Sequence, residues 1–293
     1  MSFNVQVFCF FASYLVAMGL EFFRFLGRSR LSQLATQGFA AAGLVAHTLY
    51  ILNRAQQTGL PPLLSSTHDW LLVLSWLAVI SYLTLTLFDR DLAVGVFLLP
   101  IILLCVVATY FVSQTPVAHL DALRGWKMLH ASLLVLGMLG VIVGFVLSLM
   151  YLFQQRRLRR REALSEGFGV PNLERLARLN RWAILISVPM LTFGFATGVG
   201  LGFVGRTEAS EFSFTDPLVL ASGITWLGMV VLFTWLLTGR RPRGRQVALL
   251  TIWACGFLLV TVVGLQLLTG QFHGSAPDKV AAQSAVSRLN QWR

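Results

Sequence analysis

The chain has 293 residues, of which 56% are hydrophobic and 12% charged, and its mean hydropathy is +0.72. A soluble domain carries about 25% charged residues, so this chain lacks the polar surface to cover a water-soluble globule of its size. The formal charge of +11 sits in short basic runs between apolar blocks, an arrangement that orients a membrane protein and argues against a nucleic-acid partner.

Eight apolar blocks follow one another, at about residues 4–26, 34–54, 70–88, 92–113, 128–153, 182–204, 217–238 and 246–269. A helix needs about 20 residues to cross a bilayer. Backbone in lipid must satisfy its own hydrogen bonds, so the blocks are predicted to be helices. A barrel would need alternating segments of about ten residues, and the chain has none. The expected fold is therefore all-α: a polytopic membrane bundle of about eight helices, forming one integral membrane domain over 1–293, with 270–293 a polar tail outside the lipid. The first block lacks a basic leader and a small-residue cleavage site, so it is expected to be a span and not a cleaved signal.

The loops give the orientation. Arg24, Arg28 and Arg30 follow the first block, Arg90 the third, the run from Arg156 to Arg181 the fifth, and Arg240, Arg241, Arg243 and Arg245 the seventh. Sixteen basic residues fall on that side and seven on the other. The positive-inside rule then places the richer side in the cytoplasm and both termini outside. In the long inner loop, RRLRRR is suited to anionic lipid. NLERLARLNRW carries Leu173, Leu176 and Leu179 at helical spacing after Asn172, a possible N-cap, and reads either as a short interfacial helix or as an ordinary stop after the fifth block.

This topology, drawn without reference to histidine, puts all five histidines on the outer side. His47 lies in the outer half of the second block, and His68 and His119 lie in outer loops. His130 opens the fifth block and His273 follows the eighth. Neutral imidazole is a good ligand for haem iron, and His130 and His273 are the pair expected at one depth, with Phe272 beside them. His68 reads best as a cap of the third apolar block, and His119 as a polar loop residue. For His47 an interhelical hydrogen bond and a ligand role stand level.

Other chemistry is scarce. Cys9, Cys105 and Cys255 lie singly in apolar blocks and read as packing residues. Glu208, Glu211 and Asp216 share an outer loop that reads as solvated. Glu21 and Arg24 are spaced for a local ion pair. Gly194, Gly198, Gly200 and Gly202 suit close helix packing. No metal-protease, hydrolase or phosphate-loop motif occurs, so no enzyme activity is expected.

Three segments carry a family resemblance: TGLPPLLSSTHDWLLVLSW, WKMLHASLLVLGMLGVIVGFVLSLMYL and RPRGRQVALLTIWACGFLLVTVVGLQLLTGQFH. Over about residues 40–275 the chain resembles the integral-membrane cytochrome c assembly family, the CcsA/CcmC type, and in particular its HemX-like branch. The resemblance implies that His130 and His273 match the two outward-facing histidines that ligate haem in the family. It implies b-type haem as cofactor or cargo. It also implies a bacterial inner membrane location, and partners among membrane lipid, other cytochrome c maturation proteins or a haem-biosynthesis enzyme. The family's tryptophan-rich outer loop ending in WDP is reduced here to GFVGRTEASEFSFTDP, with only Asp216 and Pro217 kept. Leucine stands in FTWLLTGR where the family often has a further histidine. Both departures fit the HemX-like branch, whose members are linked to haem biosynthesis and to control of glutamyl-tRNA reductase. Three alternatives stay open: a haem-free regulator docking an enzyme at the basic inner loop, a small-solute transporter, and an oxidoreductase anchor. The transporter lacks the broken helices and repeats such proteins show, and the anchor lacks inner-side histidines.

Overall fold

A computed structural model of the chain describes residues 6–23, 30–88, 94–112, 114, 123–159, 173–205, 217–238 and 244–256. Among these residues the regular elements are all helical. They are α1 (Val7–Phe23), α2 (Arg30–Thr58), the short α3 (Pro62–Ser65), α4 (Thr67–Phe88), α5 (Gly95–Ala108), α6 (Arg124–Arg159), α7 (Leu173–Gly205) and α8 (Pro217–Thr238). A tight turn, Thr109–Phe111, prolongs α5, and residues 244–256 are also helical. Four helices are long and apolar enough to cross a membrane, over Leu31–Thr58, Thr67–Phe88, Arg124–Leu158 and Leu173–Phe203. Shorter apolar helices cover Val7–Phe23, Gly95–Phe111 and Trp226–Trp235. The protein is a multi-pass helical membrane bundle. Its outward surface fits that solvent: Phe23, Leu31, Phe88 and Trp253 are all more than 60% exposed, a cost in water that lipid removes.

Helices α2, α6 and α7 outrun their apolar blocks at both ends. Hydropathy marks the part of a helix that lipid wets, whereas hydrogen bonding continues into the polar turns beyond it. The segment holding Leu173, Leu176 and Leu179 is corrected by the structure: it is the first part of α7, continuous with the span. Leu176 is fully buried, and Leu173 and Leu179 pack against the same core, so this leucine face turns into the bundle instead of lying on the membrane surface. Asn172 is outside the described residues, as is Arg24, the expected partner of Glu21.

One hydrophobic core runs from Phe10 on α1 to Cys255 on the last helical stretch. Cys105 and Cys255 are buried and unbridged, while Cys9 is exposed. Polar side chains stitch the helices together within it. The Trp76 indole donates to the Thr48 hydroxyl at 2.8 Å, joining α4 to α2. The Trp226 indole donates to the Thr192 hydroxyl at 3.0 Å, joining α8 to α7. Between α1 and α5, Gly95 is needed for close approach, because a Cβ there would come within 3.0 Å of the Tyr82 and Glu21 side chains.

His47 on α2 joins this stitching. Its ring is fully buried, stacks parallel on Phe10 at 4.1 Å, and shares a hydrogen bond through Nδ1 with the Tyr14 hydroxyl at 3.2 Å. Its Nε2 has no partner among the described residues. Tyr14→Phe would leave both ring nitrogens unpaired and is expected to cost about 1 kcal/mol, read from reversible unfolding in mixed micelles. A change below about 0.3 kcal/mol would mean that the α1–α2 junction does not use this bond.

Candidate functional site: the imidazole at the α6–α7 seam

Helices α6 and α7 pack antiparallel and more extensively than any other described pair. Small residues allow it. A Cβ on Gly140 would sit 2.7 Å from the Ser187 Cβ. One on Gly137 would sit 2.7 Å from Leu191, and one on Gly194 2.8 Å from Leu134. The two backbones therefore approach more closely than larger residues permit. The packing role expected for Gly194 and Gly198 is met, and Gly137 and Gly140 supply its counterpart on α6.

His130 sits at one end of this seam, in the second turn of α6, since the helix begins at Arg124. It faces α7 and is partly buried. Its Nδ1 lies 2.7 Å from the Gly194 carbonyl oxygen and 3.3 Å from the Thr197 hydroxyl. A carbonyl oxygen only accepts, so Nδ1 must carry the hydrogen in that bond. The neutral ring then holds its lone pair on Nε2, for which the described residues offer no hydrogen-bond partner. The Thr197 hydroxyl donates within its own helix, to the Gly194 and Phe193 carbonyls at 2.8 and 2.9 Å, so its oxygen remains able to accept from His130. One turn earlier on α6, the Trp126 indole donates to the Thr197 carbonyl at 3.1 Å. The ring lies close against Gly198, where a Cβ would be 2.6 Å from Cε1.

The remaining predicted residues divide. His47 lies between α1 and α2, where its Nδ1 shares the interhelical hydrogen bond with Tyr14. His119 and His273 lie outside the described residues, as does the acidic outer loop of Glu208, Glu211 and Asp216. His68 is corrected as a cap: the hydroxyl that caps α4 belongs to Ser66, which accepts from the Asp69 amide at 3.2 Å. His68 instead joins a buried ionic junction. Asp69 Oδ1 accepts from His68 Nδ1 at 3.0 Å and from Arg54 Nε at 2.9 Å. Arg54 Nη2 reaches the Gln114 carbonyl at 3.1 Å. This junction ties the end of α2, the start of α4 and the segment after α5 together. Sequence reasoning missed it, although Ser66 and Asp69 have the spacing of a capping motif and Arg54 ends an apolar block.

Among the described residues no three His, Cys, Asp or Glu side chains gather into a metal site. A haem is less demanding, since its porphyrin supplies four iron ligands and the protein only one or two. A scan against known families gives a match to the cytochrome c assembly protein family over residues 64–273. The chain belongs to the cytochrome c assembly family. The matched span takes in α4 to α8, the whole α6–α7 seam and both His130 and His273. No curated protein and no solved structure matches the chain. Membership ties it to haem-related cytochrome c maturation. The residues at the seam are compatible with that chemistry, because the near nitrogen of the His130 imidazole is held by the Gly194 carbonyl and the far one keeps its lone pair.

Proposed function

We propose that this protein handles haem in a bacterial inner membrane without catalysing a reaction. It binds b-type haem near the outer face through His130 and His273, and serves haem transfer, cytochrome c maturation or haem-linked regulation as in the HemX-like branch. The observation that supports this best is the bond from His130 Nδ1 to the Gly194 carbonyl. Metal-bound histidines nearly always donate their other ring N–H to a carbonyl or carboxylate, which orients the ring and raises its basicity. His130 has that arrangement. His47 does not: its Nδ1 is shared with a phenol and its ring is enclosed by the α1–α2 core.

A bound haem would supply a redox-active iron, which His130 and His273 would hold. The chain's own contribution is to hold the His130 ring, with Trp126 and Thr197 fixing that end of α6 to α7.

Haemin titration of the protein purified in mild detergent tests the proposal. The expected result is a sharp, saturable Soret band at one equivalent, lost or strongly weakened in His130→Ala and in His273→Ala. A protein that stays colourless with haemin, or whose Soret titration is the same in all three forms, would overturn it.

A further inference from the structure

The seam also shows how the His130 imidazole is set. A helix-end histidine ordinarily samples several rotamers and both neutral tautomers. Here three neighbouring features of α7 restrict it. The Gly194 carbonyl at 2.7 Å demands the hydrogen on Nδ1. The Thr197 oxygen at 3.3 Å offers the same hydrogen a second acceptor. Gly198, one turn beyond Gly194, presents bare backbone, and the ring occupies the space a side chain would need. A Cβ there would fall 2.6 Å from Cε1, 3.1 Å from Nδ1 and 3.4 Å from Nε2. All three distances are to one planar ring at the end of the His130 side chain, so the ring must move as a whole to admit a side chain at position 198. Even alanine would push the imidazole off the seam and break the short bond to Gly194.

We propose that Gly198 and Thr197 are positioning residues for His130: Gly198 leaves the space the ring occupies and Thr197 offers a second acceptor beside the Gly194 carbonyl, which together hold the ring in one rotamer with Nε2 as the coordinating nitrogen. The purpose assigned to that nitrogen, an axial bond to haem, rests on the function proposed above. The positioning itself concerns only this chain's residues, so the two are separable. Gly198 therefore serves the site and not helix packing alone: Gly137 and Gly140 make room for aliphatic and backbone neighbours, whereas Gly198 makes room for the ring.

The test uses the full chain in detergent, selectively ¹⁵N-labelled at histidine. In the haem-free protein the His130 ring shifts report the tautomer directly. The wild type is expected to show the hydrogen on Nδ1. Gly198→Ala is expected to give a mixture or the opposite tautomer, and haemin affinity lower on the order of 10- to 100-fold, the range for lost outer-shell partners of a metal ligand. Thr197→Val is expected to shift the tautomer balance in the same direction with a smaller fall in affinity, and Thr197→Ser, which keeps the hydroxyl, to restore both. Gly228→Ala on α8, where an added Cβ meets nothing within 4 Å, controls for glycine replacement in a helix. Wild-type tautomer and haemin affinity in folded Gly198→Ala and Thr197→Val would overturn the proposal, as would a wild-type ring carrying its hydrogen on Nε2. If the variants move the tautomer as expected while the wild type binds no haemin, the positioning stands and the haem function falls.

Discussion

Asp69→Ala is expected to destabilise the protein by about 3 kcal/mol, one of the two largest effects of a single change outside the haem site. Asp69 is 2% exposed and holds His68, also 2% exposed, and Arg54, whose side chain is 18% exposed. Removing one member of a buried ionic cluster costs about 3–5 kcal/mol, mostly because the remaining charge stays buried without a partner. The lower end applies here, since Arg54 has some access to water and a second bond to the Gln114 carbonyl. Asp69 also lies in the first turn of α4, where a carboxylate is favoured by the helix dipole. Asp69→Asn keeps an acceptor but not the charge, and is expected to lose about 1–2 kcal/mol. Unfolding in mixed micelles measures both. Equal and small losses would mean that the junction is solvated and does not tie α2, α4 and the segment after α5 together.

Gly140→Val is expected to cost about 3 kcal/mol, at the upper end for overpacking. A Cβ at position 140 meets the Ser187 Cβ at 2.7 Å and the Ser187 Cα at 3.3 Å. The second of these is backbone, so α6 and α7 must separate to admit it. A β-branched side chain has few rotamers to escape into. The separation would reach His130, about 15 Å along the α6 axis, and haemin affinity should fall together with stability. Gly228→Ala serves again as the control and should stay within about 0.5 kcal/mol. A Gly140→Val protein as stable as the wild type would show that the α6–α7 spacing is set elsewhere.

Much of this architecture is legible in the residues. The apolar blocks announce helices because lipid leaves the backbone no other way to satisfy itself, and α1, α4 and α8 fall close to their blocks. Gly194 and Gly198 read correctly as sites of close approach. What stays hidden is anything set by partners distant in the chain. Nothing around Gly194 says that His130 will donate to its carbonyl, because the register of α6 against α7 comes from interlocking at Gly137, Gly140 and Gly194 together. Arg54 and Asp69 are individually unremarked polar residues at block ends, and only the α2–α4 packing makes them a pair. Leu173, Leu176 and Leu179 have the same spacing whether they face lipid headgroups or a helical core, so periodicity alone does not separate those outcomes. His130 stands out in the sequence by residue type and topology, whereas its bond to the Gly194 carbonyl depends on how α6 packs on α7.

Electron paramagnetic resonance of the ferric, haemin-loaded protein tests most directly whether two imidazoles grip one iron. Bis-histidine ligation predicts a low-spin signal in the wild type that converts to high spin in both His130→Ala and His273→Ala. A high-spin wild type, or a low-spin signal that survives the loss of His130, would contradict the account.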